Sequence, residues 1–362
     1  MNTHQAGTIR DVLDIARWAP SGDNTQPWQF QVQGPRHAVV HGHDTRDHCV
    51  YDLDGWASQL SLGGLLETAA IGASAHGWRM QATRRPHLPD TTPTFDLHFE
   101  PDATVSPDPL LSAVKTRSVQ RRPYTTRPLS PQDKAILQVS GGPGFDVRWV
   151  EGGSQRRQFA MLLFHSAKLR LITPEAYRVH LAVIEWGAQF SHDRVPDQAL
   201  GVPKPMLAMM KTAMHSWKRV QFFNRYLAGT WLPRIQMDFW PAVTCAAHFM
   251  LVAQQPARTL DDVISHGRAL QRFWLTSTHL GLSLQPSMTP LIFARYAHQG
   301  RQFSTVPGTL ETARRLSQVL ARHMGDDAAA AGVFVGRIGY GPRVDARSLR
   351  KGLDELQAHN FS

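Results

Sequence analysis

The chain has 362 residues, 42% of them hydrophobic and 19% charged, with a formal net charge of +10. That profile belongs to a globular protein with a sizeable core and excludes a disordered or fibrous chain. Its two cysteines, Cys49 and Cys245, exclude a disulfide framework and fit a reducing compartment.

The opening "MNTHQAGTIRDVLD" has no basic stretch followed by an apolar one, so no secretory leader is expected. Residues 8–19 place Ile9, Val12, Leu13, Ala16 and Trp18 at helical spacing. The pattern stops at Pro20, and "SGDNTQPW" follows, a tight group of turn-forming and amide side chains fenced by prolines and tryptophans. Residues 29–43 read as two strands around Gly34-Pro35, 56–80 as one long helix with small residues, and "TFDLHFE" at 94–100 as a strand. The Pro-rich link "PDATVSPDP" at 101–109 divides the chain into halves at about 1–105 and 106–362.

A second unit then begins, helical over "LLSAVKTRS" and broken at Pro123. "FDVRWVE" at 145–151 alternates as a strand. Residues 155–240 read as helices rich in Trp and Met, interrupted by "RVPDQALGVPKP", and predict an insertion within the second half. The longest apolar run, "PAVTCAAHFMLVA" at 241–253, is too short for a membrane helix and reads as a buried strand containing Cys245. Residues 265–288 mirror the long helix at 56–80, and 332–341 form a strand. The order helix–strand–strand–long helix–strand thus occurs twice, so the predicted fold class is α+β. A two-fold repeat within one chain mimics a symmetric homodimer.

The arginine surplus suits a polyanion, yet there is no zinc-finger spacing, helix-turn-helix cue or dense basic tract, and no nucleic-acid partner is expected. "HGHDTRDHC" offers His41, His43, His48 and Cys49, but it reads as a strand and turn, and no metal is expected. "GRIGYG" at 336–341 lacks the spacing of a dinucleotide fingerprint.

"ARWAPSGDNTQPWQF" at 16–30 resembles the flavin-binding signature of the nitroreductase family, and "KTRSVQRRPY" at 115–124 resembles that family's other signature. The family carries both in each subunit of a homodimer. Here they are divided: Pro20, Ser21, Asn24, Gln26 and Pro27 stand in the first half, Arg117, Ser118, Arg121 and Arg122 in the second. The single-chain, two-repeat arrangement is similar to the family's Acg-like branch. The resemblance implies a nitroreductase-like fold of two tandem half-units forming an intramolecular pseudo-dimer, a monomer with one complete FMN site.

In that reading Arg117, Ser118 and Arg121 hold the flavin phosphate, with Arg347 or Arg350 adding to it. Ser21 and Asn24 face the ribityl chain and ring edge, beside Pro20 and Gln26. The segment Ser287, Met288, Thr289 aims a backbone N–H at flavin N5. No catalytic side chain is assigned. The implied activity is an FMN-dependent oxidoreductase that passes hydride from NAD(P)H to a nitroaromatic, a quinone or a specific metabolite. The alternative is an FMN-sequestering protein without turnover. The expected partner is a small-molecule substrate, with no membrane partner, and the expected location is cytoplasmic.

Overall fold

The structure is a computed structural model that describes residues 7–227 and 229–358. Helix α1 (Ile9–Ala16) starts at Thr8, whose side chain and that of Asp11 cap each other's backbone N–H groups, and it buries Ile9, Val12, Leu13 and Ala16. The strands β1 (Trp28–Gly34) and β2 (His37–Gly42) form a hairpin. Helix α2 (Trp56–Ser74) follows, then β3 (Trp78–Arg84) and β4 (Thr94–Pro101). Their antiparallel sheet has the order β1-β2-β4-β3.

The second half repeats this plan. Helix α3 (Pro131–Ser140) precedes β5 (Phe145–Val150). Four helices of more than one turn come next: α4 (Gly153–Ile172), α5 (Pro174–Val183), α6 (Lys204–Ala213) and α7 (Trp217–Tyr226). Strand β6 (Ala247–Ala253), helix α8 (Leu260–His279) and strand β7 (Ser283–Pro286) resume the plan. Helices α9 (Thr289–His298) and α10 (Thr309–Met324) lead to β8 (Gly332–Gly339). This sheet runs β7-β8-β6-β5. Both sheets therefore place their strands first-second-fourth-third, with the long helix between the second and third. The insertion occupies the place that a short turn at Pro35-Arg36 fills in the first half.

Both long helices end earlier than their sequence pattern suggests. Gly77 and Gly281 adopt left-handed φ values of 66° and 73° just past α2 and α8. This lets the chain reverse into return strands. One of these, β3, is a strand that the polar alternation after Trp78 did not announce.

The halves meet along α2 and α8. A Cβ on Gly63 would lie 2.2 Å from the Ile264 carbonyl oxygen, and one on Gly267 would lie 2.2 Å from that of Leu60. The contact is reciprocal, each glycine seated on the carbonyl three residues upstream of the other. Helix α2 is buried on nearly every side, its polar Ser58, Gln59, Ser61, Glu67 and Thr68 included. Its N-terminus is capped from a distance: Asp52, 1% exposed, accepts from the N–H groups of Ala57 and Ser58 and from the hydroxyls of Thr45 and Ser58. Among the described residues, no helix is long and apolar enough to cross a membrane.

Candidate flavin site

A cavity of about 360 Å³ lies against the crossing helices and draws its wall from both halves. It brings together Pro20, Ser21, Asn24, Arg117, Ser118, Arg121, Met288, Thr289, Arg347 and Arg350. Gln26 and Ser287 stand outside its wall.

The first-half loop is strained. Asp23, Asn24 and Gln26 hold φ values of 49°, 65° and 51°, which cost non-glycine residues about 1–3 kcal/mol each. Asn and Asp tolerate this region best. The Ser21 hydroxyl accepts from the Gln26 N–H at 3.0 Å, which leaves its own O–H to donate. Asn24 is fully engaged: its amide donates to the carbonyls of His192 and Arg194, and its Oδ1 accepts from Arg350 at 2.8 Å. It positions Arg350 and has no donor left for a ring edge. Gln26 bonds to the His192 carbonyl and the Lys351 N–H and so staples the loop from behind.

Ser118 and Arg121 lie on an extended segment beside β7, bridged at Val119 to Leu284. Arg337, 2% exposed, secures it from below by donating to the carbonyls of Arg121 and Arg122 while stacking on Tyr124. The Arg347–Ser348 stretch pairs with Phe190–Ser191, and His192 Nδ1 lies 3.0 Å from the Arg350 carbonyl. The turn at 190–194 thus ties the first-half loop to the C-terminal arginines, a role that its polar sequence does not announce.

Arg117, Arg347 and Arg350 form no ion pair among the described residues. Arg117 is 6% exposed, and its guanidinium lies over the Trp274 ring at 4.7 Å. Burial, then the charge of Arg347, lowers its pKa to about 9. Burial and the charges of Arg117, Arg347 and Arg17 hold Arg350 well below its ordinary value. The Nε groups of Arg117 and Arg347 are buried without partners. Three guanidiniums crowded together, two of them with orphaned Nε donors, fit an anion with several oxygens. Helix α9 opens at Thr289 with no side-chain cap on its first turn, and Pro290 carries no N–H, so the donors left at its start are the N–H groups of Met288 and Thr289.

The other end of the cavity carries groups that no local pattern in the sequence marked. Asp23 lies among Arg121 and Arg170, and burial, outweighing both cations, raises its pKa. Asp23 is half-buried and lines the cavity. Arg170 pairs with Asp238 at 3.0 Å. Tyr51 Oη lies 3.0 Å from His180 Nε2. Burial, then Arg170, pushes His180 down to about 3, so the imidazole is neutral. A second cavity of about 230 Å³ shares Asp23, Arg121, Arg170 and His180 and extends beneath the insertion helices. The candidate metal ligands at 41–49 do not converge. Among the described residues, His37, Asp96 and His98 are the one group that does, and Asp96 is held by two bonds from Arg85.

No family model matches the chain. Two curated proteins named "Putative NAD(P)H nitroreductase", from two strains of Mycobacterium tuberculosis, are each 27% identical to it over 303 residues, covering 82% of this chain and 80% of their own. A solved nitroreductase-like family protein from Bacillus cereus aligns with 72% of this chain and all of its own, at 11% identity and a TM-score of 0.35. Over four fifths of its length the chain is similar to proteins named as nitroreductases, which supports the nitroreductase resemblance carried by residues 16–30 and 115–124.

Proposed function

We propose that the chain is an FMN-dependent oxidoreductase of the nitroreductase type, using NAD(P)H to reduce a small-molecule acceptor. The observation that carries this reading is the set of Arg117, Arg347 and Arg350 on one cavity wall, the first and last buried and Arg347 half-buried, with no ion pair among the described residues. These groups, with the hydroxyls of Ser118 and Ser21, would hold a phosphate and its polyol chain. Asn24 acts through Arg350, which it orients. Trp56, Leu60, Leu270 and Trp274 give the cavity an apolar lining that suits a planar ring. The free N–H groups at the start of α9 would donate to the ring edge where negative charge develops. The bound flavin supplies hydride acceptance and donation at N5. The insertion limits water and bounds the space left for a second reactant, through Arg170, His180 and Val195.

The halves 1–105 and 106–362 are read as tandem units packed as an intramolecular pseudo-dimer. Their shared strand order and the reciprocal glycine contact support this. The free thiols of Cys49 and Cys245 accord with a cytoplasmic location. The test is the absorption spectrum of the purified protein, followed by anaerobic addition of NADPH. A yellow protein that bleaches supports the reading. A colourless protein that fails to take up added FMN refutes it, and one that binds FMN but bleaches with neither NADPH nor NADH is a sequestering protein instead.

A further inference from the structure

We propose that the outer face of residues 217–240 is a docking surface for an anionic lipid bilayer. Helix α7 has no buried residue at all. Its inner stripe, Val220, Phe223 and Asn224, lines the second cavity, and so do Pro233 and Met237 of the stretch that follows. Both stretches turn these residues to the same cavity, Asp238 lines it as well and Arg234 is buried, while other side chains of the two stretches stand in solvent. Those side chains include Phe222, Tyr226, Leu227, Trp231, Ile235 and Trp240, from 42% to 63% exposed. The rings of Phe222 and Tyr226 pack together at 5.2 Å. The turn joining the two stretches is anchored by the Gly229 N–H donating to the Phe223 carbonyl at 2.9 Å. A soluble monomer rarely leaves so many large apolar groups together in water.

The charge of this segment selects the partner. Residues 201–240 carry Lys204, Lys211, Lys218, Arg219 and Arg225, with Arg234 buried, against the single carboxylate Asp238. That carboxylate is spent on Arg170. Lys218, Arg219 and Arg225 are exposed beside the aromatic residues. A second copy of the chain would set these cations against one another, and a nucleic acid would leave Leu227 and Ile235 without a counterpart. Aromatic and aliphatic groups ringed by Lys and Arg match the headgroup boundary of an anionic leaflet. The sequence expectation of no membrane partner rests on the lack of a spanning segment, which a surface-lying helix does not need.

The test is flotation of the full chain with vesicles of phosphatidylcholine, alone or with one third phosphatidylglycerol. The expected result is recovery with the anionic vesicles only, weakened by salt. A Phe222→Ser/Trp231→Ser protein should stay unbound, with the circular dichroism and melting of the parent. A Lys218→Glu/Arg219→Glu/Arg225→Glu protein should partition about 100-fold less, at roughly 1 kcal/mol for each of the three cations near the surface. If the aromatic variant melts early, the charge variant carries the test. The proposal is overturned if the parent protein does not float, or if both variants float as well as it does. It is also overturned if sedimentation shows a lipid-free dimer that the aromatic variant abolishes, or if an oligonucleotide binds this face while vesicles do not. FMN content is measured separately, so failure here leaves the flavin reading standing.

Discussion

Replacing Arg117 with Met should weaken FMN binding while leaving the flavin-free protein at least as stable as the parent. Arg117 has one hydrogen bond, from Nη2 to the Trp18 carbonyl at 3.3 Å, and an orphaned Nε. Its burial beside Arg347 disfavours its charge. Met gives up the cation–π contact with Trp274 but fills the same place with an apolar chain and removes a buried cation that has no carboxylate partner, an exchange that is often neutral or stabilising. With a phosphate present the sign reverses, because a hydrogen bond to a charged group contributes about 1.5–3 kcal/mol. That corresponds to roughly a 10- to 150-fold rise in Kd. Melting of the flavin-free protein and quenching of FMN fluorescence on titration read the two quantities separately. A variant that loses about 2 kcal/mol or more of stability and still binds FMN like the parent would falsify the assignment, since Arg117 would then be a structural residue.

Denaturing FMN-saturated, desalted protein should release one flavin per chain, because Arg117, Arg347 and Arg350 line a single cavity; a ratio near two would contradict this. Arg337→Met should lose flavin through misplacement of the 117–122 segment, since it leaves the Arg121 and Arg122 carbonyls without their donor; unchanged FMN affinity would remove it from any positioning role. Gly63→Ala should cost about 1–3 kcal/mol or more, because its Cβ would meet the Ile264 carbonyl oxygen; a urea midpoint equal to the parent's would show that the helix crossing is slack. Burial lowers the pKa of His180 and His248 to about 3 and of His266 to about 4. The unfolded chain takes up these protons first, near pH 6.5. Stability is therefore full above that pH and is lost as pH falls towards 4, with a slope of up to about 4 kcal/mol per pH unit for three protons. Urea unfolding that gives equal stability at pH 7 and pH 5 would count against it.

What the sequence made legible was mostly local. The strands at 29–42, 94–100 and 145–151 and the helical insertion all carry period or turn signals within a short window. Helix ends were harder: the apolar pattern runs past Ser74 and His279, and only the left-handed glycines at 77 and 281 stop it. Ser21, Arg117 and Ser118 were legible because they sit in two compact signatures. Asn24 and Gln26 belong to the same signature, yet the structure spends their amides on the 192–194 carbonyls. Those partners lie some 170 residues away, and no local pattern encodes them. The same holds for Asp23, Tyr51, Arg170 and His180, which meet only because the insertion folds back over the first-half loop.

The turn at 190–194 has a kinetic consequence. It joins a loop near residue 24, the insertion and the strand at 347–348, so the cavity wall is complete only when pieces more than 300 residues apart have docked. No partly opened chain retains that wall. A ligand bound there adds its whole binding free energy to the cost of every opening that crosses the site, because it favours the closed state alone. In the empty protein, opening of the 186–203 segment costs only that segment's own hydrogen bonds and packing, while the helix at 153–172 stays in the core. In the loaded protein the same opening must first expel the ligand, so the ligand fuses separately opening parts into one cooperative unit. Cleavage within 186–203 by a protease then becomes a direct measure of occupancy: rapid in the empty chain, and in the loaded one as slow as ligand release.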